Sequence, residues 1–153
     1  MRILLLSSSS GSRGGGEFYL LGLAKGLTQL GHSVCLLMSR HESMDEFAAS
    51  CTEAAIEVKR FDYVNTYRRR LRALAAAMDS RGARAVADVI RQEKPDIVHI
   101  NLQCVEDGLD LYKAGVLSGL PCVATIHVTR SMQQLGAALV WVRDVGALCF
   151  ISK

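Results

Sequence analysis

The sequence has no C-x-x-C pair, no apolar window long enough to cross a membrane, no histidine pair at metal-ligand spacing and no strong excess of charge. Each absence removes a class of function. The five cysteines (Cys35, Cys51, Cys104, Cys122 and Cys149) are odd in number, and four lie in or beside apolar, strand-like runs. They read as small buried hydrophobes in a reducing compartment rather than as a disulfide or zinc framework, and the expected location is the cytoplasm. A net charge of +3 is too small to imply wholesale nucleic-acid binding. The amino terminus, Met1-Arg2 followed by four aliphatics, is too short for a secretory signal and runs into a serine/glycine loop instead of a cleavage segment. There is no internal repeat. With 153 residues, 50% of them hydrophobic, the chain can bury one full core, so residues 1–153 are expected to form a single domain.

What the sequence does have is a glycine-rich turn between a strand and a helix at its start. Arg2 to Leu6 is apolar; then come Ser7 to Ser10, Gly11, Ser12, Arg13, Gly14, Gly15 and Gly16, with a helical pattern from Glu17. Glycine tolerates positive φ and lets a ligand approach the main chain without meeting a Cβ. The unpaired N–H groups of a first helical turn favour an anion. The turn therefore suits a phosphate-bearing ligand. Its spacing, G-x-x-G-G-G, matches neither the dinucleotide G-x-G-x-x-G nor a Walker loop. The bland alternative is a mobile turn with no ligand.

Short apolar runs then alternate with helical patterns. A helix is expected over Glu17 to Leu30 with Gly31 as its stop, and a second strand over Ser33 to Met38. Ser43 before Met44-Asp45-Glu46 has the form of a capping box. Ile56 to Phe61 alternates as an edge strand does. Tyr67, Leu71, Leu74 and Met78 repeat at helical spacing, and another helix spans Ala83 to Gln92 before Pro95. Ile97 to Ile100, Cys122 to Ile126 and Ala147 to Ile151 are three more strands, with helical segments over Gly108 to Leu117 and Gln133 to Arg143. This alternation predicts an α/β fold: a Rossmann-like, doubly wound parallel sheet of about six strands with helices on both faces.

In such sheets ligands bind at the carboxyl ends of the strands, where strand order reverses. The polar residues expected there are Gly14 to Glu17, Ser39-Arg40, Asn101-Leu102-Gln103 and His127-Val128-Thr129-Arg130. An open α/β half with a naked cleft usually works with a second lobe, so the chain is expected to be one lobe of a larger protein.

Met1-Arg2-Ile3-Leu4, Gly14-Gly15-Gly16-Glu17, Leu23-Ala24-Lys25-Gly26-Leu27 and Gly31-His32-Ser33-Val34 resemble the opening of the GT-B glycosyltransferases of family 4, a retaining group. So do Lys94-Pro95-Asp96-Ile97-Val98-His99-Ile100-Asn101, the Gly119-Leu120-Pro121 turn, Thr125-Ile126-His127 and Phe150-Ile151-Ser152. The resemblance covers the amino-terminal, acceptor-side lobe; the carboxy-terminal lobe, which in that family holds most nucleotide-sugar contacts, is absent from this chain. It implies a hexosyltransferase-type enzyme, inactive as this fragment, that moves a sugar from a nucleotide-diphosphate sugar to an acceptor hydroxyl with retention, on a glycan or lipid-linked acceptor. The nucleotide sugar is a co-substrate, and no cofactor or metal is implied. Gly14, Gly15 and Gly16 would face the donor diphosphate, Glu17 would sit near a sugar, and His127 would approach the reacting centre as the catalytic residue. Asn101 and Arg130 join the expected donor or substrate contacts. Ser8 to Arg13 replace the family's commoner proline-containing segment.

The rival reading is an NADP- or phosphate-binding Rossmann-like module without transfer activity, with Arg40 as the reader of a 2′-phosphate. The glycine spacing opposes it, and Glu17 would put a carboxylate where a pyrophosphate docks. Glu17 has its own plainer reading, a helix-dipole residue that stabilises the turn. His127 is either a donor to a sugar hydroxyl or developing charge, or a satisfied structural histidine. His99, inside its strand, reads as core, and His32 and His41 as surface. Arg68, Arg69, Arg70 and Arg72, extended by Arg81 and Arg84, form the one strong charge cluster. Most often such a cluster is a solvated helix face; the sharper expectation is that Arg68, Arg69 and Arg72 meet an anionic membrane surface or an acceptor phosphate.

Overall fold

The computed structural model describes residues 1–8, 14–63, 80–104, 108–128 and 147–150. Six strands, β1 (Arg2–Ser7), β2 (Ser33–Ser39), β3 (Glu57–Phe61), β4 (Ile97–Cys104), β5 (Cys122–Val128) and β6 (Ala147–Phe150), form one sheet in the order β3-β2-β1-β4-β5-β6. Every pairing is parallel. The expected doubly wound Rossmann-like fold is the observed one, and β3 lies at the edge, as its alternating sequence indicates.

Among the described residues, four α-helices cover the sheet: α1 (Gly15–Gln29), α2 (Asp45–Glu53), α3 (Arg81–Glu93) and α4 (Leu109–Ser118). Because β1 and β2 are apolar at nearly every position, both of their faces are buried, and two separate cores result. Ile3, Leu5, Val34, Leu36 and Met38 pack with Leu20 and Ala24 of α1 and with Phe47 and Cys51 of α2. Leu4, Leu6, Cys35, Leu37, Val98, Ile100, Ala124 and Ile126 pack on the other face with Val86 and Ile90 of α3 and Leu111 and Ala114 of α4. Leu4, Leu5 and Leu6 are fully buried, each contributing about 1.5–3 kcal/mol of transfer free energy.

Helix ends follow from local chemistry. α1 stops where Gly31 takes φ +82°, and α4 where Gly119 takes φ +73°, conformations that favour glycine. Lys94 takes φ 48° directly after α3, and Pro95 prevents continuation. Where a capping box is expected at Ser43, α2 begins at Asp45 with Met44 at its N-cap position. Glu42–Met44 is a 3₁₀ turn that runs straight into α2, and its cap is the His41 side chain, which accepts from the Ser43 N–H at 3.3 Å. The helix expected between Tyr67 and Met78 lies outside the described residues, as does that over Gln133 to Arg143.

At the amino ends of the strands, Lys59 donates to both carboxylate oxygens of Glu93 at 2.7 and 2.6 Å. Arg2 donates to the same carboxylate at 3.0 Å and to the Glu93 carbonyl at 2.8 Å. This ties the last turn of α3 to β1 and β3. Burial would raise the Glu93 pKa, but the bonds from Lys59 and Arg2 together outweigh it and leave it below the usual carboxylate value. Cys35 lies beside Glu57 and Glu93 within metal-ligating distance. The two carboxylates are already engaged by Arg2 and Lys59, and burial, helped by those carboxylates, pushes the thiol up to about 11. The cluster is an ion-pair clamp.

Candidate functional site

Strand order reverses between β1 and β4: the chain leaves β1 toward β2 and leaves β4 toward β5. A crevice opens at the carboxyl ends of strands at such a point. Here it is bordered by Ser7 and Ser8, by the first turn of α1, and by the far ends of β4 and β5.

β4 is longer than its apolar core suggests. It continues through Asn101 to Cys104, so Asn101 and Gln103 stand inside a strand rather than in the loop after it, and His127 is likewise within β5. Register explains where these side chains go. Leu5 pairs with His99, Ser7 with Asn101, and Asn101 with Thr125. His99, Asn101, Gln103, Thr125 and His127 therefore share the sheet face on which α1 lies, as a polar continuation of that apolar core. His99 is not a simple core histidine: it is half-buried, and its Nε2 meets Thr125 Oγ1 at 2.8 Å. Burial, with His127 nearby, pushes its pKa down to about 4.

The first turn of α1 packs on this ladder. Asn101 donates from Nδ2 to the Gly16 carbonyl at 3.3 Å, and its Oδ1 meets His127 Nε2 at 2.8 Å. Tyr19 sets its ring edge-on to His127, with centroids 5.0 Å apart at 75°. A Cβ on Gly16 would lie 3.4 Å from both Gln103 Oε1 and His127 Cδ2, in van der Waals contact, which shows how closely the first turn of α1 lies on β4 and β5. Gly14, Gly15 and Gly16 are not there for positive φ; among the described glycines only Gly31 and Gly119 adopt it. At Gly14 the constraint is space, since a Cβ there would lie 3.3 Å from Glu17 Oε2.

Gly15 is different from its neighbours. A Cβ built there meets nothing within 4 Å, and the residue is exposed. Neither backbone conformation nor packing within the described residues requires glycine at this position. The same turn offers N–H groups at Gly15 and Gly16 that have no partner among the described residues, as expected of a first helical turn.

Glu17 is buried, 5% exposed, and its Oε2 accepts from the Gly14 N–H at 2.8 Å. It therefore stabilises the helix start itself and leaves the next two N–H groups for something else. Its charge also acts on His127, whose pKa burial lowers and Glu17 partly restores. The structure thus brings Gly14, Gly15, Gly16, Glu17, Asn101 and His127 together. Arg130, Arg68, Arg69 and Arg72 lie outside the described residues. Gln103 and Thr125, both marked by the sequence, join the site, and so does Tyr19, which no motif marks.

Arg40, the residue an NADP reading needs, donates to the Arg60 carbonyl at 3.3 Å and pairs with Asp62. With Glu17 at the head of α1, this disfavours dinucleotide binding.

Residues 13–145 match the profile of Glycosyltransferase Family 4. The chain belongs to this glycosyltransferase family. No curated protein sequence matches it significantly. Among solved structures, HepE of Anabaena, in complex with UDP and glucose, superposes with a TM-score of 0.65 at 18% identity, over 97% of this chain and 37% of HepE. MurG of Acinetobacter baumannii superposes at 0.64 and 16% identity, over 99% of this chain and 41% of MurG. A protein of Listeria monocytogenes described as a UDP-N-acetylglucosamine 2-epimerase also superposes, at 0.64 and 11% identity, over 97% and 38%. At these identities the likeness shows the fold alone, one lobe of the GT-B architecture. The chain spans about two fifths of the length of these structures. Among the described residues, no helix of this family 4 lobe is long and apolar enough to cross a membrane.

Proposed function

We propose that this chain is the amino-terminal, acceptor-side lobe of a hexosyltransferase that moves a sugar from a nucleotide-diphosphate sugar to an acceptor hydroxyl with retention. The observation that carries the reading is Gly15: an exposed glycine in the first turn of a helix at the switch point, with open space above it and two N–H donors beside it. A phosphate-bearing ligand uses that combination, because amide donors and the helix dipole both favour an anion. HepE, of the same fold, was crystallised with UDP and glucose, and VinC with dTDP; a nucleoside-diphosphate donor is the natural occupant by analogy. Arg130 and Glu17 complete the donor and sugar contacts, Asn101 backs them by holding Gly16 and His127, and His127 acts at the reacting centre. The lobe supplies orientation and electrostatic stabilisation of an oxocarbenium-like transition state. The acceptor is a glycan or a lipid-linked sugar, and Arg68, Arg69 and Arg72 hold an acceptor phosphate or an anionic membrane surface.

The test is steady-state kinetics of the transferase containing this lobe, with His127→Ala. A group used mainly in the transition state lowers kcat and kcat/KM together and leaves donor KM nearly unchanged. A kcat per folded molecule within about twofold of the parent removes His127 from catalysis. The anomeric configuration of the first-formed product, read by NMR, decides retention.

A further inference from the structure

The two hydrogen bonds of the Asn101 side chain fix its orientation, and with it a proton elsewhere. The Gly16 carbonyl can only accept, so the Asn101 amide group must face it, and the 3.3 Å contact is that donation. Oδ1 is then the atom 2.8 Å from His127 Nε2. An amide oxygen cannot donate, so the imidazole must. Asn101 is 3% exposed, and the amide cannot be turned over without setting its oxygen against the Gly16 carbonyl, two acceptors facing each other out of water.

We propose that Asn101 is the positioning residue that holds the proton of neutral His127 on Nε2, so that the ring meets its ligand as a hydrogen-bond acceptor through Nδ1. The proposal deepens the reading of His127 as a sugar-facing residue and rests on it for its consequence. Nδ1 has no hydrogen-bond partner among the described residues. A neutral ring with Nε2 protonated carries its lone pair there. The ligand group it suits is a donor, a hydroxyl, and not an oxyanion. A division of labour follows within one turn of helix: the Gly15 and Gly16 N–H groups serve an anion, while the His127 ring serves a hydroxyl. Because Asn101 bridges the Gly16 carbonyl to the ring, the helix turn and the histidine are held as one unit, with Tyr19 packed against the imidazole.

The test is NMR on the chain with ¹⁵N-labelled histidine, at a pH well above the ordinary histidine value. The expected spectrum shows a protonated Nε2 with a ring proton that survives exchange with water, and a bare Nδ1. In Asn101→Leu, which removes the acceptor, that ring proton is lost to exchange. In Asn101→Asp, which keeps an oxygen in place, it survives. A proton on Nδ1 in the parent, or equal protection in Asn101→Leu, overturns the proposal. If Asn101→Leu does not fold, the parent spectrum alone decides. No substrate is needed, so failure of the transferase reading and failure of this one are separate results. In the full transferase, Asn101→Leu is expected to reduce kcat at least tenfold with donor KM little changed, and Asn101→Asp to recover part of the loss.

Discussion

Replacing Gly15 by alanine separates a glycine kept for the fold from one kept for a ligand. The new Cβ meets nothing within 4 Å, and Gly15 does not take positive φ. Alanine there restricts the unfolded chain and improves helix propensity, so Gly15→Ala should stabilise the lobe by about 0.4–1 kcal/mol. Gly16→Ala is the internal control: its Cβ would meet Gln103 and His127 at 3.4 Å, ordinary van der Waals contact, so it too should gain from propensity without the opening toward solvent that Gly15 has. Ligand binding should go the other way for Gly15. A methyl group over the two N–H donors obstructs hydrogen bonds to a charged phosphate, each worth about 1.5–3 kcal/mol. Losing one such bond weakens binding about tenfold or more. The assay pairs urea unfolding with a titration of UDP on the same preparations. A Gly15→Ala variant that is more stable and binds UDP as the parent does would refute the reasoning, because the glycine would then serve neither purpose.

Gly115→Ala should behave oppositely to Gly15→Ala. Its Cβ would lie 2.9 Å from Cys122 Sγ and 3.1 Å from Ile100 Cδ1, so overpacking of about 1–3 kcal/mol should exceed the propensity gain, and adding Cys122→Ala should recover much of the loss in the urea midpoint. The lowered His99 pKa, about 4 against an ordinary 6.5, means that the unfolded chain binds the extra proton. Stability is therefore fully present above pH 6.5 and declines as pH falls toward 4, with His127 acting in the same direction. Urea midpoints across that range should flatten in His99→Gln, whereas the contribution of Glu93 is lost only below 4.5; a profile unchanged in His99→Gln contradicts the assignment. If Arg68, Arg69 and Arg72 meet a membrane, sedimentation with vesicles should rise with anionic lipid, fall with salt and drop sharply when all three become serine; binding indifferent to these changes leaves them a solvated face.

The fold was legible because strand and helix periods are local. Near-continuous apolar runs at β1 and β2 and amphipathic helices between them leave a doubly wound parallel sheet as the natural solution. A 3₁₀ turn capped by His41 takes up Glu42 to Met44, which places α2's start later than the Ser43 pattern suggests. The site was legible only in outline. The glycine turn and His127 carry recognisable patterns; the turn opens α1 as expected, whereas His127 stands within β5 and not in the loop after it. The alternation His99, Asn101, Gln103 against Val98, Ile100, Leu102 was also present, and it marks one face of β4 as polar. An apolar reading of the strand core passes over it. What the sequence could not show is pairing across the chain: Asn101 reaches Gly16, 85 positions away, and His127, 26 positions away. Glu17 likewise turns out to cap its own helix, a contact that sequence could place beside a sugar role but not weigh against it.

The central claim, that the switch-point crevice receives the diphosphate of a nucleotide sugar, is tested most directly by mapping UDP and pyrophosphate onto the ¹⁵N-labelled chain by amide chemical shifts. The account predicts that both ligands perturb Gly15, Gly16 and Glu17 first, with Asn101 and His127 following, and that Gly15→Ala weakens both titrations together. Perturbations that instead gather at the Arg2, Lys59 and Glu93 clamp at the opposite ends of the strands, or that leave the α1 turn unmoved at saturation, would contradict it.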